Sequence, residues 1–137
     1  MLSLDYDAYL TMVAHAIDAV PDEACGLLAA RPNADSGQVE AVYKCRNAAA
    51  SARVYEIHPL DHLHADRDAD RRGLQISGVY HSHTHTDAYP SPTDVAQAPD
   101  PEWHYVLVSL KSPEPVVRSF RIVDGRVAEE PVVVNGQ

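Results

Sequence analysis

The chain has 137 residues, 45% of them hydrophobic and 23% charged, which suits one ordinary domain whose core needs no disulfide or metal staple. A formal charge of -9 with only 11 Lys and Arg excludes the basic stripe that nucleic acid requires. No run approaches the roughly 18 apolar residues of a membrane span, and the opening residues carry Asp5, Asp7 and Asp18 ahead of any Lys or Arg, unlike a signal or transit peptide; no membrane contact and a cytoplasmic location are expected.

Leu10, Val13, Ala14, Ile17 and Val20 recur at helical spacing, with Ser3 or Asp5 as a cap and Pro21 after the end. This predicts an amphipathic helix over 4–20, packed through that face. The apolar run 23–30 predicts a buried strand, and the turn-rich RPNADSG leads back into a second strand over 39–45. Cys25 and Cys45 fall in these runs without CxxC spacing and are expected to be buried free thiols. Residues 46–53 lack periodicity, and 54–57 reads as a short strand. Pro59 and Gly73 bracket a polar helix with Leu60 and Leu63 as core contacts and His58, His62 and His64 on a solvated face. Residues 74–80 and 105–110 predict central strands, and 92–98 a short helix. A hairpin follows, 116–123 with 126–134 around Asp124-Gly125, its second strand confined to an edge or bulge by Pro131. The sum is an α/β fold: a single layered domain over 1–137, with a mixed β-sheet flanked by helices and no internal repeat.

The densest chemistry lies in HSHTHTDAYPSPTD, residues 81–94. His81 and His83 are two apart, so an extended backbone sends both imidazoles to the same side. With a carboxylate they make a three-ligand set that leaves the fourth tetrahedral position of a zinc ion open. Asp94 can supply that carboxylate, although in Ser91-Pro92-Thr93-Asp94 the local pattern favours Ser91 as N-cap and Asp94 as its capping-box partner. Ser91 beside such a site can also donate to a developing oxyanion. Hydrolysis further needs a proton carrier. Glu23 stands at the edge of an apolar run, where a carboxylate has no packing role, though in isolation an exposed turn residue is the commoner reading. His85 continues the alternation and qualifies by geometry as a further imidazole ligand.

Taken together, Glu23, His81-Ser82-His83, the seven residues Thr84 to Pro90, and Ser91-Pro92-Thr93-Asp94 resemble the signature of the JAMM or MPN-plus metalloproteases. The likeness runs from the opening helix to the C-terminal hairpin. The runs YHSHT, AYPS, TDV, HYVLVS and RIVDG are similar to the small stand-alone actinobacterial members that remove cysteine from the C-terminus of a ubiquitin-like sulfur carrier. The resemblance implies a JAB/MPN-like, cytidine-deaminase-like fold. It implies one Zn2+ per chain held by His81, His83 and Asp94, with Glu23 as catalytic acid/base and Ser91 supporting the tetrahedral intermediate. It also implies a ubiquitin-like sulfur carrier protein with a C-terminal Gly-Gly as partner. The reaction would be hydrolysis of the amide after that Gly-Gly, releasing cysteine in a cysteine biosynthesis pathway; a homodimer is left open. The spacing of the signature selects His83 over His85, which becomes a neighbour able to touch substrate.

Other classes compete. An isopeptidase or tail-processing peptidase on another ubiquitin-like protein would use the same residues. A non-catalytic MPN-type scaffold has lost metal ligands, whereas the five-residue set here is intact. A cupin-type metal oxygenase also begins with His-x-His but needs a Glu a few residues later in an all-β chain, and 84–88 contains none.

Overall fold

The computed structural model describes residues 1–136. A strand the sequence pattern did not reveal, β1 (Leu2–Asp5), precedes the expected helix and shortens it to α1 (Tyr6–Ala19). Asp5 is the cap: its carboxylate accepts from the Ala8 N–H at 2.7 Å, satisfying an orphan donor of the first turn. The helix packs through a different face from the one expected. Ala8, Met12 and Ala16 are buried, while Leu10, Ile17 and Val20 are exposed. Met12 is the one large side chain of this i, i+4, i+8 row and is fully buried between the two alanines.

The hairpin of β2 (Cys25–Ala30) and β3 (Ala41–Cys45) forms as expected. The strand expected over 54–57 does not: only an isolated bridge joins Asn47 to Ile57. The Asn47 side chain takes over the ladder's role, donating to the Val54 carbonyl at 3.1 Å and accepting from the Glu56 N–H at 3.0 Å. Helix α2 (Pro59–Arg71) starts at a His58 cap and buries Ala65 and Ala69, whereas Leu60 and Leu63, the expected core contacts, are exposed. Strand β4 (Gln75–His83) follows, then α3 (Pro92–Ala96), β5 (His104–Ser109) and β6 (Val116–Val123). Asp124 and Gly125, with φ of 50° and 75°, make the two-residue turn into β7 (Arg126–Glu130). Pro131 splits the expected last strand. β7 stays on the edge of the large sheet, and β8 (Val132–Asn135) leaves it to pair in parallel with β1.

The six-stranded sheet has the order β3-β2-β4-β5-β6-β7, antiparallel except between β4 and β5. Side chains alternate between its faces. Leu28, Tyr80, Val106 and Val108 join α1 on one side; Leu27, Val79, Leu107 and Phe120 join residues of α2 and α3 on the other. Each fully buried aliphatic side chain contributes about 1.5–3 kcal/mol. His81 and His83 have the parity of Val79, which sends them to the α2 and α3 side. No helix among the described residues is long and apolar enough to cross a membrane.

Candidate metal centre

Strand β4 continues through both histidines, where the hydrophobic pattern alone ends it at Tyr80. The ladder to β5 pairs His81 with Leu107 and His83 with Ser109, so both imidazoles project from a rigid, doubly flanked strand. Asp94 arrives from α3. Ser91 and Asp94 do form the capping box: the Asp94 N–H donates to Ser91 Oγ at 3.1 Å, and the Ser91 N–H donates to Asp94 Oδ2 at 2.9 Å. The cap and the ligand readings of Asp94 are therefore compatible, because the box aims the carboxylate at the histidines. Asp94 Oδ2 lies 3.0 Å from His81 Nε2 and 3.2 Å from His83 Nε2.

These three residues are buried and can bring one ligand atom each within 4.8 Å of the others. Zinc bonds of about 2.0–2.1 Å at tetrahedral angles separate ligand atoms by roughly 3.3–3.4 Å, close to the spacing seen. The donor set thus fits the ion. His85 is exposed and outside the cluster. A second feature prepares His83: its Nδ1–H donates to the Asp87 carbonyl at 2.8 Å, leaving Nε2 as the nitrogen with the free lone pair in the neutral ring. Tyr55 stacks on His81, with ring centres 4.2 Å apart and planes at 22°.

The electrostatics of the cluster are those of a site built for a cation. Burial holds His81 below the ordinary imidazole value. Burial acts the same way on His83, but hydrogen bonds with Asp94 and the Asp87 carbonyl outweigh it and hold that ring above the ordinary value. Burial also opposes the charge of Asp94, yet contacts from both imidazoles keep its carboxyl well below the usual carboxylate range.

Glu23 reaches the cluster through strand register. The β2 to β4 ladder pairs Cys25 with His81, and the Ser82 N–H donates to the Ala24 carbonyl at 3.0 Å. Extending this antiparallel register by one more residue sets Glu23 opposite His83. The Ser82 hydroxyl reinforces the approach by accepting from the Ala24 N–H at 2.8 Å. On the other side the Glu23 N–H donates to the Ser51 carbonyl at 2.7 Å and its own carbonyl accepts from Asn47 Nδ2 at 3.1 Å. Glu23 is therefore no exposed turn residue: it is 3% exposed, and Oε1 has no hydrogen-bond partner. Burial raises its carboxyl to about 7, with His83 pulling downward and Asp94 pushing further up. Glu23, His83 and Ser91 line one cleft of about 360 Å³. A carboxyl poised near neutrality beside a cation site can accept and return a proton there.

Ser82, Asn47, Tyr55 and the Asp87 carbonyl all position this site, and sequence reasoning missed each of them. Only Ser82 had a local signal, since its place between His81 and His83 puts it on the opposite face of the strand. The other histidines are accounted for elsewhere. His15 Nδ1 meets the Tyr80 hydroxyl at 2.7 Å, and His104 Nδ1 meets Glu130 at 2.7 Å. His58 caps α2, His64 is exposed, and His62 lies near Trp103 instead of being fully solvated. Cys25 and Cys45 are buried free thiols, pushed up to about 12 by burial, and are no nucleophiles.

With this geometry in place, relatives can be compared. Residues 6–123 match the family described as "Prokaryotic homologs of the JAB domain". The chain belongs to that family. It is 45% identical over 138 aligned residues to the "CysO-cysteine peptidase" of Mycobacterium tuberculosis, covering 98% of this chain and 91% of the relative. Among solved structures it is similar to protein DSY2949 from Desulfitobacterium hafniense, with a TM-score of 0.89 and 36% identity, covering 100% of this chain and 94% of that one. A structure described as "JAMM: A Metalloprotease-like Zinc Site in the Proteasome and Signalosome" shares the fold at a TM-score of 0.62 and 15% identity, covering 99% of each chain. The JAB/MPN membership and the mixed α/β fold expected from the sequence are borne out, in a family whose curated relative is named a peptidase.

Proposed function

We propose that the protein is a zinc-dependent peptidase that cleaves the amide after the C-terminal Gly-Gly of a ubiquitin-like sulfur carrier, releasing cysteine for a cysteine biosynthesis pathway. His81, His83 and Asp94 would hold one zinc ion per chain, which would supply Lewis-acid polarisation of the scissile carbonyl and a more acidic water. Glu23 takes the proton of the attacking water and passes it to the departing amine. Ser91 spends an oxygen lone pair on the Asp94 N–H, which leaves its hydroxyl proton free to donate to the oxyanion. Residues 1–137 act as one cytoplasmic domain.

The observation that carries this reading is a buried Glu23 with a neutral-range carboxyl, lining the same cleft as His83 of a closed His-His-Asp cluster. The 45% identity to a CysO-cysteine peptidase supports the choice of substrate. The intact cluster speaks against a scaffold, and the mixed sheet speaks against a cupin. The test is to incubate the zinc-loaded enzyme with a sulfur carrier that ends in Gly-Gly-Cys and to weigh the products. Loss of one cysteine residue supports the reading. An intact carrier alongside cleavage of a lysine-linked conjugate overturns it in favour of an isopeptidase.

A further inference from the structure

The cleft beside the cluster holds two side chains for which water activation has no use. Arg53 is the only Lys or Arg that lines it. Most of the protein's cations are neutralised: Arg31, Arg46, Arg71, Arg72, Lys111 and Arg118 each sit in an ion pair. Among the described residues Arg53 has no such partner; only its backbone N–H is engaged, donating to Ser51 Oγ at 3.0 Å. Thr84 lines the same cleft, is 8% exposed, and carries a fully buried Oγ1 with no hydrogen-bond partner. That hydroxyl is closed off by its neighbours, so of these two side chains it is Arg53 that stands open to an incoming anion.

The segment bearing Arg53 is fastened to the catalytic glutamate. Residues 47 and 51 bond both backbone groups of Glu23, and the Asn47 side chain also accepts from the Ala49 N–H and donates to the Val54 carbonyl. Arg53 therefore stands on a braced segment at a fixed place relative to Glu23. A substrate whose released residue is its last brings a free carboxylate whose carbon lies about 2.5 Å from the scissile nitrogen, two bonds away. That anion must enter a cleft that already contains Glu23, on a chain of net charge -9. It needs a cation there, whereas a lysine isopeptide brings no anion so close.

Resting on the reading above that a single residue follows Gly-Gly, we propose that Arg53 recognises the free α-carboxylate of the residue to be released. Arg53 is then the element that makes the enzyme a trimmer of chain ends and sets it apart from a deconjugase.

The test pairs two carriers, one ending in Gly-Gly-cysteine and one in Gly-Gly-cysteinamide, with the zinc-loaded wild type, Arg53→Gln and Arg53→Lys. Wild type should favour the free acid in kcat/KM by at least about tenfold, the value of a charge-assisted hydrogen bond. Arg53→Gln should bring the acid-to-amide ratio to within about twofold, and Arg53→Lys should restore part of it. The same ratios should appear in Kd when each change is combined with Glu23→Gln and binding is followed by calorimetry. A wild type indifferent to the amide, or an Arg53→Gln enzyme slowed equally on both carriers, overturns the proposal. If wild type cleaves a lysine-linked conjugate and neither carrier, the substrate reading itself fails and this inference goes with it.

Discussion

Glu23 and His83 line one cleft, just past the hydrogen bond from the Ser82 N–H to the Ala24 carbonyl where β2 and β4 part. The cleft joins residues sixty positions apart in a chain whose local patterns give no hint of it. It places a buried, unpaired carboxylate where chemistry needs one and where stability does not.

The stability cost can be measured. The Glu23 carboxyl sits at about 7 against an ordinary 4.5, so the folded state holds its proton more tightly than the unfolded one. Metal-free protein should lose stability as pH rises from about 4.5 to 7, by on the order of 2 kcal/mol. Metal-free Glu23→Gln should therefore be the more stable protein at pH 8, the gap closing near pH 4.5, as read by urea titration. With zinc restored it should bind the metal normally and turn over about 100-fold to 10,000-fold more slowly. Retention of near wild-type turnover would remove Glu23 from the mechanism.

Zinc uptake should release protons. Without metal, His83 is held above the ordinary imidazole value by Asp94 and the Asp87 carbonyl, while a ligand histidine must be neutral. Affinity should fall as pH drops through the raised value, and near neutrality uptake should free up to about one proton, visible with an indicator dye. Asp94→Asn and His81→Ala should abolish stoichiometric zinc by elemental analysis. Asp94→Asn should also lower the unfolding midpoint of the metal-free chain, because it weakens the capping box.

Acid should attack the far end of the sheet. Burial works to raise Glu130, but hydrogen bonds from His104 at 2.7 Å and Ser119 at 2.8 Å hold it at about 2 against an ordinary 4.5. A depressed carboxylate stabilises fully above its unfolded value. That stabilisation, on the order of 2–3 kcal/mol, should disappear as pH falls from about 4.5 to 2. Glu130→Gln should flatten the acid limb of the stability curve; an unchanged limb would show that the pair contributes nothing.

Gly26 should tolerate no side chain. A Cβ there would collide with the Tyr80 ring and the Tyr43 carbonyl, in the ladder that sets Glu23 against His83. Gly26→Ala should cost about 1–3 kcal/mol in urea unfolding with an unchanged slope. A wild-type midpoint would mean that the sheet yields there easily.

Elements with a strong local code were readable: the Asp-Gly turn, the Ser91 capping box, and the His81 and His83 alternation all stand as their residues indicate. The packing faces of both long helices were not. Large apolar residues mark one side of α1, yet Ala8, Met12 and Ala16 face the sheet, because two alanines carry little weight in a hydrophobic pattern even where they are buried. β1 was hidden because its partner, β8, lies at the other end of the chain and pairs only in the folded state. The segment over 54–57 looked like a strand because its residues suit one, but the Asn47 side chain claims the backbone groups a ladder would use. Within the site, His81, His83, Asp94 and Glu23 were singled out together by their resemblance to one family signature. The groups that orient them, such as the Asp87 carbonyl, belong to the backbone and leave no letter in the sequence.

The Ser82 to Ala24 bonds also separate synthesis from activity in time. β2 leaves the ribosome long before β4, and neither strand alone brings a proton carrier to a metal ligand. The proposed site therefore comes into being only with the finished sheet and is lost with it.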